Sequence, residues 1–128
     1  MKWVWRGLLI LVAVLVIAVL VFRVPDTDPA AMRAKYGAAP SQFIPVGEGR
    51  AIHVRDEGPR DAPVIVLLHG SNSDLHTWQE WADMLKADYR VIRFDQRGHG
   101  LTGPAADDDY SPEAFGADID AVTAKLGV

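Results

Sequence analysis

The chain opens on an apolar block and then changes character. Lys2-Trp3-Val4-Trp5-Arg6 leads into an unbroken apolar run from Gly7 to Phe22, 16 residues without a charge. Counted from Trp3 the hydrophobic stretch reaches 20 residues, enough at ~1.5 Å per residue to cross a ~30 Å hydrocarbon core. Trp3 and Trp5 suit the headgroup interface, and Arg6 can snorkel to it from one turn inside. Residues 1–24 therefore read as a transmembrane anchor. A cleaved signal peptide has a similar pattern, but Leu20-Val21-Phe22-Arg23 is too bulky for a small-x-small cleavage site. A buried core helix would need partners on every side, and too little chain remains to supply them. Basic residues flank the run almost evenly, Lys2 and Arg6 before it and Arg23, Arg33 and Lys35 after it. The short basic N-terminal tail favours the cytoplasmic side, which predicts a single-pass protein with its remaining residues outside the cytoplasmic membrane.

Residues 25–41 are polar and punctuated by proline, a linker in which Ala30–Tyr36 can form one or two helical turns before Gly37-Ala38-Ala39-Pro40 breaks them. From residue 42 the periodicity is that of a folded domain. Gln42–Val46 and Arg50–Asp56 read as short strands joined through Gly47-Glu48-Gly49 in a hairpin. Val64–Leu68 is a continuous apolar run rich in β-branched residues; it does not alternate, so both faces should be buried, as in a central parallel strand. A polar turn, His69–Ser73, follows it. Thr77 and Glu80 stand at capping-box spacing, and Trp78, Trp81, Ala82 and Leu85 give one helical stripe. Tyr89–Phe94 is the next strand and runs into a second turn at Asp95–Gly103. Ser111-Pro112-Glu113 opens a last helix with apolar positions at Phe115, Ile119, Val122 and Leu126, and Gly127 sits at its C-terminal cap. The order β-β-β-α-β-α is α/β class, a hairpin leading into a right-handed βαβα unit.

Composition narrows the function. All 17 acidic residues lie beyond Val24 with 10 of the 13 basic ones, leaving that part at −7 and excluding a basic nucleic-acid footprint. The chain has no cysteine, so disulfide frameworks, thiol nucleophiles and Cys-ligated metals are excluded. Among the histidines, His53 on a hairpin strand reads as a surface or packing residue and His76 as a surface group at a helix start. His69, Asp74 and His76 match no metal-ligand spacing. His99, between two glycines, either lines a pocket or, the plainer reading, faces solvent. Asp107-Asp108-Asp109 reads as a solvated loop, and the Trp78/Trp81 stripe as core or cap-facing surface.

Both turns lie at strand carboxyl ends, where open α/β sheets place their ligand crevices. In His69-Gly70-Ser71 the glycine lets the backbone turn and brings the following amides to the crevice; in Asp95-x-Arg97-Gly98-x-Gly100-x-Thr102 two glycines permit angles other residues resist. An apolar strand ending in His-Gly, a Trp-bearing helix, and a strand ending in Asp-x-Arg-Gly-x-Gly-x-Thr together resemble the α/β-hydrolase family, near its esterase, epoxide-hydrolase and haloalkane-dehalogenase branch. The resemblance covers about Phe43 to Val128.

The resemblance implies that the Ser71 backbone N–H contributes to an oxyanion hole, its hydroxyl being incidental. His69, Gly70 and Asn72 would shape that loop, with His69 structural rather than a general base. Asp95, Arg97, Gly98 and Gly100 would brace the turn bordering the active site. The family's nucleophile sits in a Gly-x-Ser-x-Gly-type elbow after the next strand, and this sequence has no such elbow. Residues 42–128 thus read as an incomplete α/β-hydrolase domain without nucleophile, triad acid or triad histidine, and Val64–Leu68 would lack its neighbour on one edge. The expected whole is a membrane-anchored enzyme hydrolysing an ester or related bond of a small-molecule substrate, of which this is an N-terminal fragment inactive alone. The alternatives are a truncated, non-catalytic membrane-anchored binding module and a non-hydrolytic member of the same fold. No metal or organic cofactor is implied, and no nucleic-acid partner; membrane contact falls to residues 3–24.

Overall fold

The computed structural model describes residues 2–47 and 49–128. Helix α1 (Lys2–Phe22) is 21 residues long, and none of its residues is buried. It is apolar and long enough to cross a membrane. Helix α2 (Pro29–Tyr36) follows, opened by Pro29 and by Asp28, whose carboxylate accepts the Ala30 amide at 2.9 Å. Then come β1 (Ser41–Gly47), β2 (Arg50–Glu57), β3 (Val64–Leu68), a 3-10 turn (Leu75–Trp78), α3 (Gln79–Leu85), β4 (Arg90–Phe94) and α4 (Pro112–Leu126). At the β1–β2 turn Gly47 and Gly49 both take positive φ; Glu48, between them, lies outside the described residues.

The strands form one sheet in the order β1-β2-β4-β3. β1 and β2 are the antiparallel hairpin, β2 pairs antiparallel with β4, and β3 pairs parallel with β4. Alternation sorts the side chains onto two faces. Ile44, Ile52, Val54, Ile92 and Phe94 pack with Val122 of α4 on one face. On the other lie Val91, Leu75 and Ala82, all fully buried, with His53 and Arg93 beside them. Ser111 caps α4 through the Ala114 amide, and Gly127 closes it in the left-handed conformation.

Two local expectations change. Thr77 does not cap α3: Asp74 caps earlier, accepting the His76 amide at 2.8 Å, and Thr77 Oγ1 instead meets Ser73 Oγ at 2.6 Å. The earlier, stronger cap starts a tight 3-10 turn, and α3 begins only at Gln79 with no side-chain cap. The anticipated stripe splits accordingly, with Ala82 buried and Trp81 exposed, while Leu75 supplies the missing apolar anchor. The other change concerns β3, which is half-buried with Leu68 exposed rather than covered on both faces. Among the described residues no strand pairs with its outer edge, so nothing extends the helical layers over it.

Candidate active site

β3 and β4 run parallel with Leu68 opposite Phe94, so the turns after them emerge side by side at one end of the sheet. They are held very differently. In the first turn, His69 is buried. The Gln96 amide donates to its Nε2 at 3.0 Å, so that nitrogen is an acceptor and the ring proton resides on Nδ1, which donates to the Gly70 carbonyl at 2.8 Å. The Gln96 side-chain amide also donates to the His69 carbonyl. With its lone pair occupied, His69 fixes the loop and has no free nitrogen for proton transfer.

Beyond His69 the turn opens to solvent: Gly70, Ser71 and Asn72 are all exposed. Gly70 is not the residue that makes the turn possible. Its φ lies outside the left-handed region, and an added Cβ would meet nothing within 4 Å. The left-handed position is Asn72, at φ 53°, which a short polar side chain tolerates. Among the described residues the Ser71 amide has no hydrogen-bond acceptor.

The second turn is built around Asp95. Its Oδ2 accepts from His53 Nδ1 at 2.7 Å and from the Leu101 amide at 2.7 Å; Oδ1 accepts from the Leu75 amide at 2.8 Å. One carboxylate thus ties β2, the 3-10 turn and the 98–103 loop together. Burial alone would raise its pKa, but the His53 donor and the two amides outweigh burial and hold it below the ordinary value. Thr102 Oγ1 donates to the Asp95 carbonyl at 2.7 Å and accepts the His53 amide at 3.0 Å. Gly100, at φ 50°, lies so close to this carboxylate that any Cβ would overlap its oxygens. Gly98, at φ 82°, has the Tyr110 ring 2.9 Å from the site of a Cβ.

Arg97 secures the far side. Its Nε and Nη2 grip Asp118 of α4 at 2.8 and 2.9 Å, and Nη1 reaches the Asp109 carbonyl at 2.6 Å. Asp118 also takes Arg50 of β2 in a second fork, at 3.0 and 2.6 Å. Burial raises the Asp118 pKa, the two guanidiniums lower it more, and the net shift is downward. Asp107, Asp108 and Asp109 are exposed, as expected of a solvated loop.

The residues missed in sequence are His53, Asp118, Gln96 and Ser41. Period-two alternation places His53 on the face opposite Ile52 and Val54, but its partner Asp95 lies 42 positions away. Ser41 Oγ contacts His53 Nε2 at 2.7 Å, so Ser41, His53 and Asp95 stand at the spacings of a Ser-His-Asp triad. They cannot act as one. Ser41 Oγ also meets the Tyr36 carbonyl at 3.0 Å and Arg55 Nε at 3.1 Å, which saturates the hydroxyl, and His53 is fully buried. The chain of bonds locks β1 and β2 onto the second turn.

Two adjoining cavities lie between the segment that carries α2 and these elements. One, about 280 Å³, is lined by Met32 and Tyr36 on one side and by Asp74, His76 and Asp95 on the other. The second, about 570 Å³, runs between Asp26–Arg33 and the 98–104 loop. His99 lines it, rather than simply facing solvent, with its ring 5.1 Å edge-on from His69. His76 is half-buried and bonded to Asp74. Among the described residues no three His, Asp or Glu side chains converge in a metal-binding group.

The α/β-hydrolase fold family model matches residues 63–128, just over half of the chain, and the chain belongs to that family. A bifunctional esterase/perhydrolase of Acinetobacter calcoaceticus is 34% identical over 87 residues, covering 67% of this chain and 31% of that protein. Epoxide hydrolase 4 of Mus musculus is 32% identical over 80 residues, covering 62% of this chain and 22% of that protein. The solved structure of an epoxide hydrolase from hot-environment metagenomes superposes with a TM-score of 0.63 at 31% identity, over 69% of this chain and 30% of that one. The chain thus spans about a third or less of the proteins it matches. Its relatives support a hydrolase-like function by family.

Proposed function

We propose that these residues form the oxyanion-hole side of the active site of a membrane-anchored hydrolase. The observation that carries this reading is the exposed, unpartnered Ser71 amide on a turn fixed from behind by His69 and Gln96. A pre-set N–H at that position can stabilise the charge that develops when a nucleophile adds to an ester carbonyl or a related electrophile. His69 and Asn72 shape the donor loop, Gly70 lying between them with no conformational demand for glycine; Asp95, Arg97, Gly98 and Gly100 hold the neighbouring turn against it. The nucleophile, acid and histidine of the reaction would come from an elbow strand and later segments absent from these 128 residues, adding beside the bare edge of β3. The uncovered apolar surface of α1 supports the anchor, with residues 25–41 as its tether and the N-terminus cytoplasmic.

Reading the coding sequence past the Val128 codon tests the proposal. It expects a strand and a Gly-x-Ser-x-Gly or Gly-x-Asp-x-Gly elbow within roughly 10–15 codons. A stop codon at that point contradicts it.

A further inference from the structure

The larger cavity has a feature that bears on substrate class: one of its walls is the juxtamembrane segment itself. Asp26 and Thr27 line it, four and five residues after α1 ends at Phe22. A fully extended chain covers at most about 14 Å in four residues, while a headgroup layer is roughly 5–8 Å deep. With α1 in a bilayer, the Asp26 end of the cavity is therefore tethered within about 14 Å of the hydrocarbon edge. The wall is pinned at its far end: the Arg33 guanidinium lies 3.6 Å over the Phe43 ring, and the Tyr36 carbonyl accepts from Ser41 Oγ.

The lining is also suited to a hydrocarbon chain. Pro29, Met32, Leu101 and Pro104 supply apolar surface, and at Gly103 an added Cβ would meet nothing within 4 Å. The 98–104 wall carries no carboxylate, lysine or arginine; of the charged lining groups, Asp26 lies at the membrane end of the opposite wall and Arg33 is held over the Phe43 ring at its far end. A volume of about 570 Å³ is that of a ligand pocket. His99 connects this cavity to the first turn through its edge-on contact with His69.

We infer that this cleft takes the acyl chain of a lipid drawn from the bilayer that holds α1, so that the substrate is a long-chain amphiphilic ester rather than a small soluble one. The inference rests on the anchored-hydrolase reading above.

Photolabelling tests it without requiring turnover. The full chain is placed in phosphatidylcholine nanodiscs containing a phosphatidylcholine with a diazirine near the end of one acyl chain, and the labelled peptides are mapped by mass spectrometry. Label is expected on Met32 and within 98–104 as well as on α1. Leu101→Trp and, from the opposite wall, Met32→Trp should each fill the cleft and lower labelling of 98–104 by about tenfold, equivalent to ~1.4 kcal/mol of lost binding, with α1 labelling unchanged. Label on α1 but none on 98–104 overturns the inference and leaves the anchor standing. Label on neither overturns both. Label on 98–104, in a protein whose extended form hydrolyses no ester, supports acyl-chain binding in the cleft and overturns the hydrolase reading together with the ester substrate.

Discussion

The turns after β3 and β4 are neighbours at the same end of the sheet, yet they are constructed on opposite principles. In the second, the polar side chains that hold the turn are matched within the protein. Asp95 receives three donors, Arg97 is forked to Asp118, and Gly100 is pressed against the Asp95 carboxylate. In the first, the links are at His69, and the next three residues stand in solvent with an amide unpaired. Buried polar groups are costly unless satisfied, so a turn that packs must close its own hydrogen bonds. One that presents a donor to a ligand must leave that donor open while fixing the backbone behind it. The two turns divide these tasks, and the closed one provides the Gln96 amide that fixes the open one.

Substitutions in the two turns should have different consequences. The largest effect belongs to the open turn. Ser71→Pro removes the amide proton, and in the complete hydrolase proposed above it should lower kcat for ester hydrolysis by about 10²–10³. Ser71→Ala keeps the amide and should leave kcat nearly unchanged; equal losses in the two variants would remove Ser71 from the oxyanion hole. Next, Asp118→Ala leaves Arg97 buried without its partner and should cost about 3–5 kcal/mol in thermal unfolding.

The glycines sharpen the contrast. Gly100→Ala puts a methyl group into the Asp95 carboxylate at a left-handed position and should cost at least about 1–3 kcal/mol. Gly70→Ala meets open space at an ordinary φ and should be neutral or stabilising by up to about 1 kcal/mol. The smallest effect is in pH dependence. Asp95, Asp118 and Asp56 all have pKa values lowered in the folded protein, each by donors that outweigh burial. Their contribution is present above the unfolded carboxylate value near 4 and is lost as pH falls through the folded values. Thermal unfolding measured from pH 6 down to pH 2 should show this loss, and Asp118→Asn should flatten the acid limb.

The fold was largely legible because its signals are local. An apolar run without alternation marked β3, and Ser111-Pro112 with Gly127 bounded α4 by capping chemistry that needs no distant partner. Local reading failed where two local signals competed, as when Asp74 took the cap expected of Thr77. The bracing of the second turn was only partly legible. Asp95 and Arg97 stood out as motif residues, but their partners His53 and Asp118 lie 42 and 21 positions away. Nothing in a single sequence reports such pairings, because they depend on how β2 and α4 pack against β4. The same holds for the cavity beside His99, whose opposite wall is the linker.

Residue-resolved amide hydrogen exchange on the full chain in nanodiscs tests the division of labour most directly. Slow exchange is expected at Leu75, Gln96 and Leu101, whose amides are held by Asp95 and His69, and fast exchange at Ser71. A Ser71 amide as protected as that of Leu101 would mean that the first turn satisfies its own donor, and the oxyanion-hole reading would be contradicted.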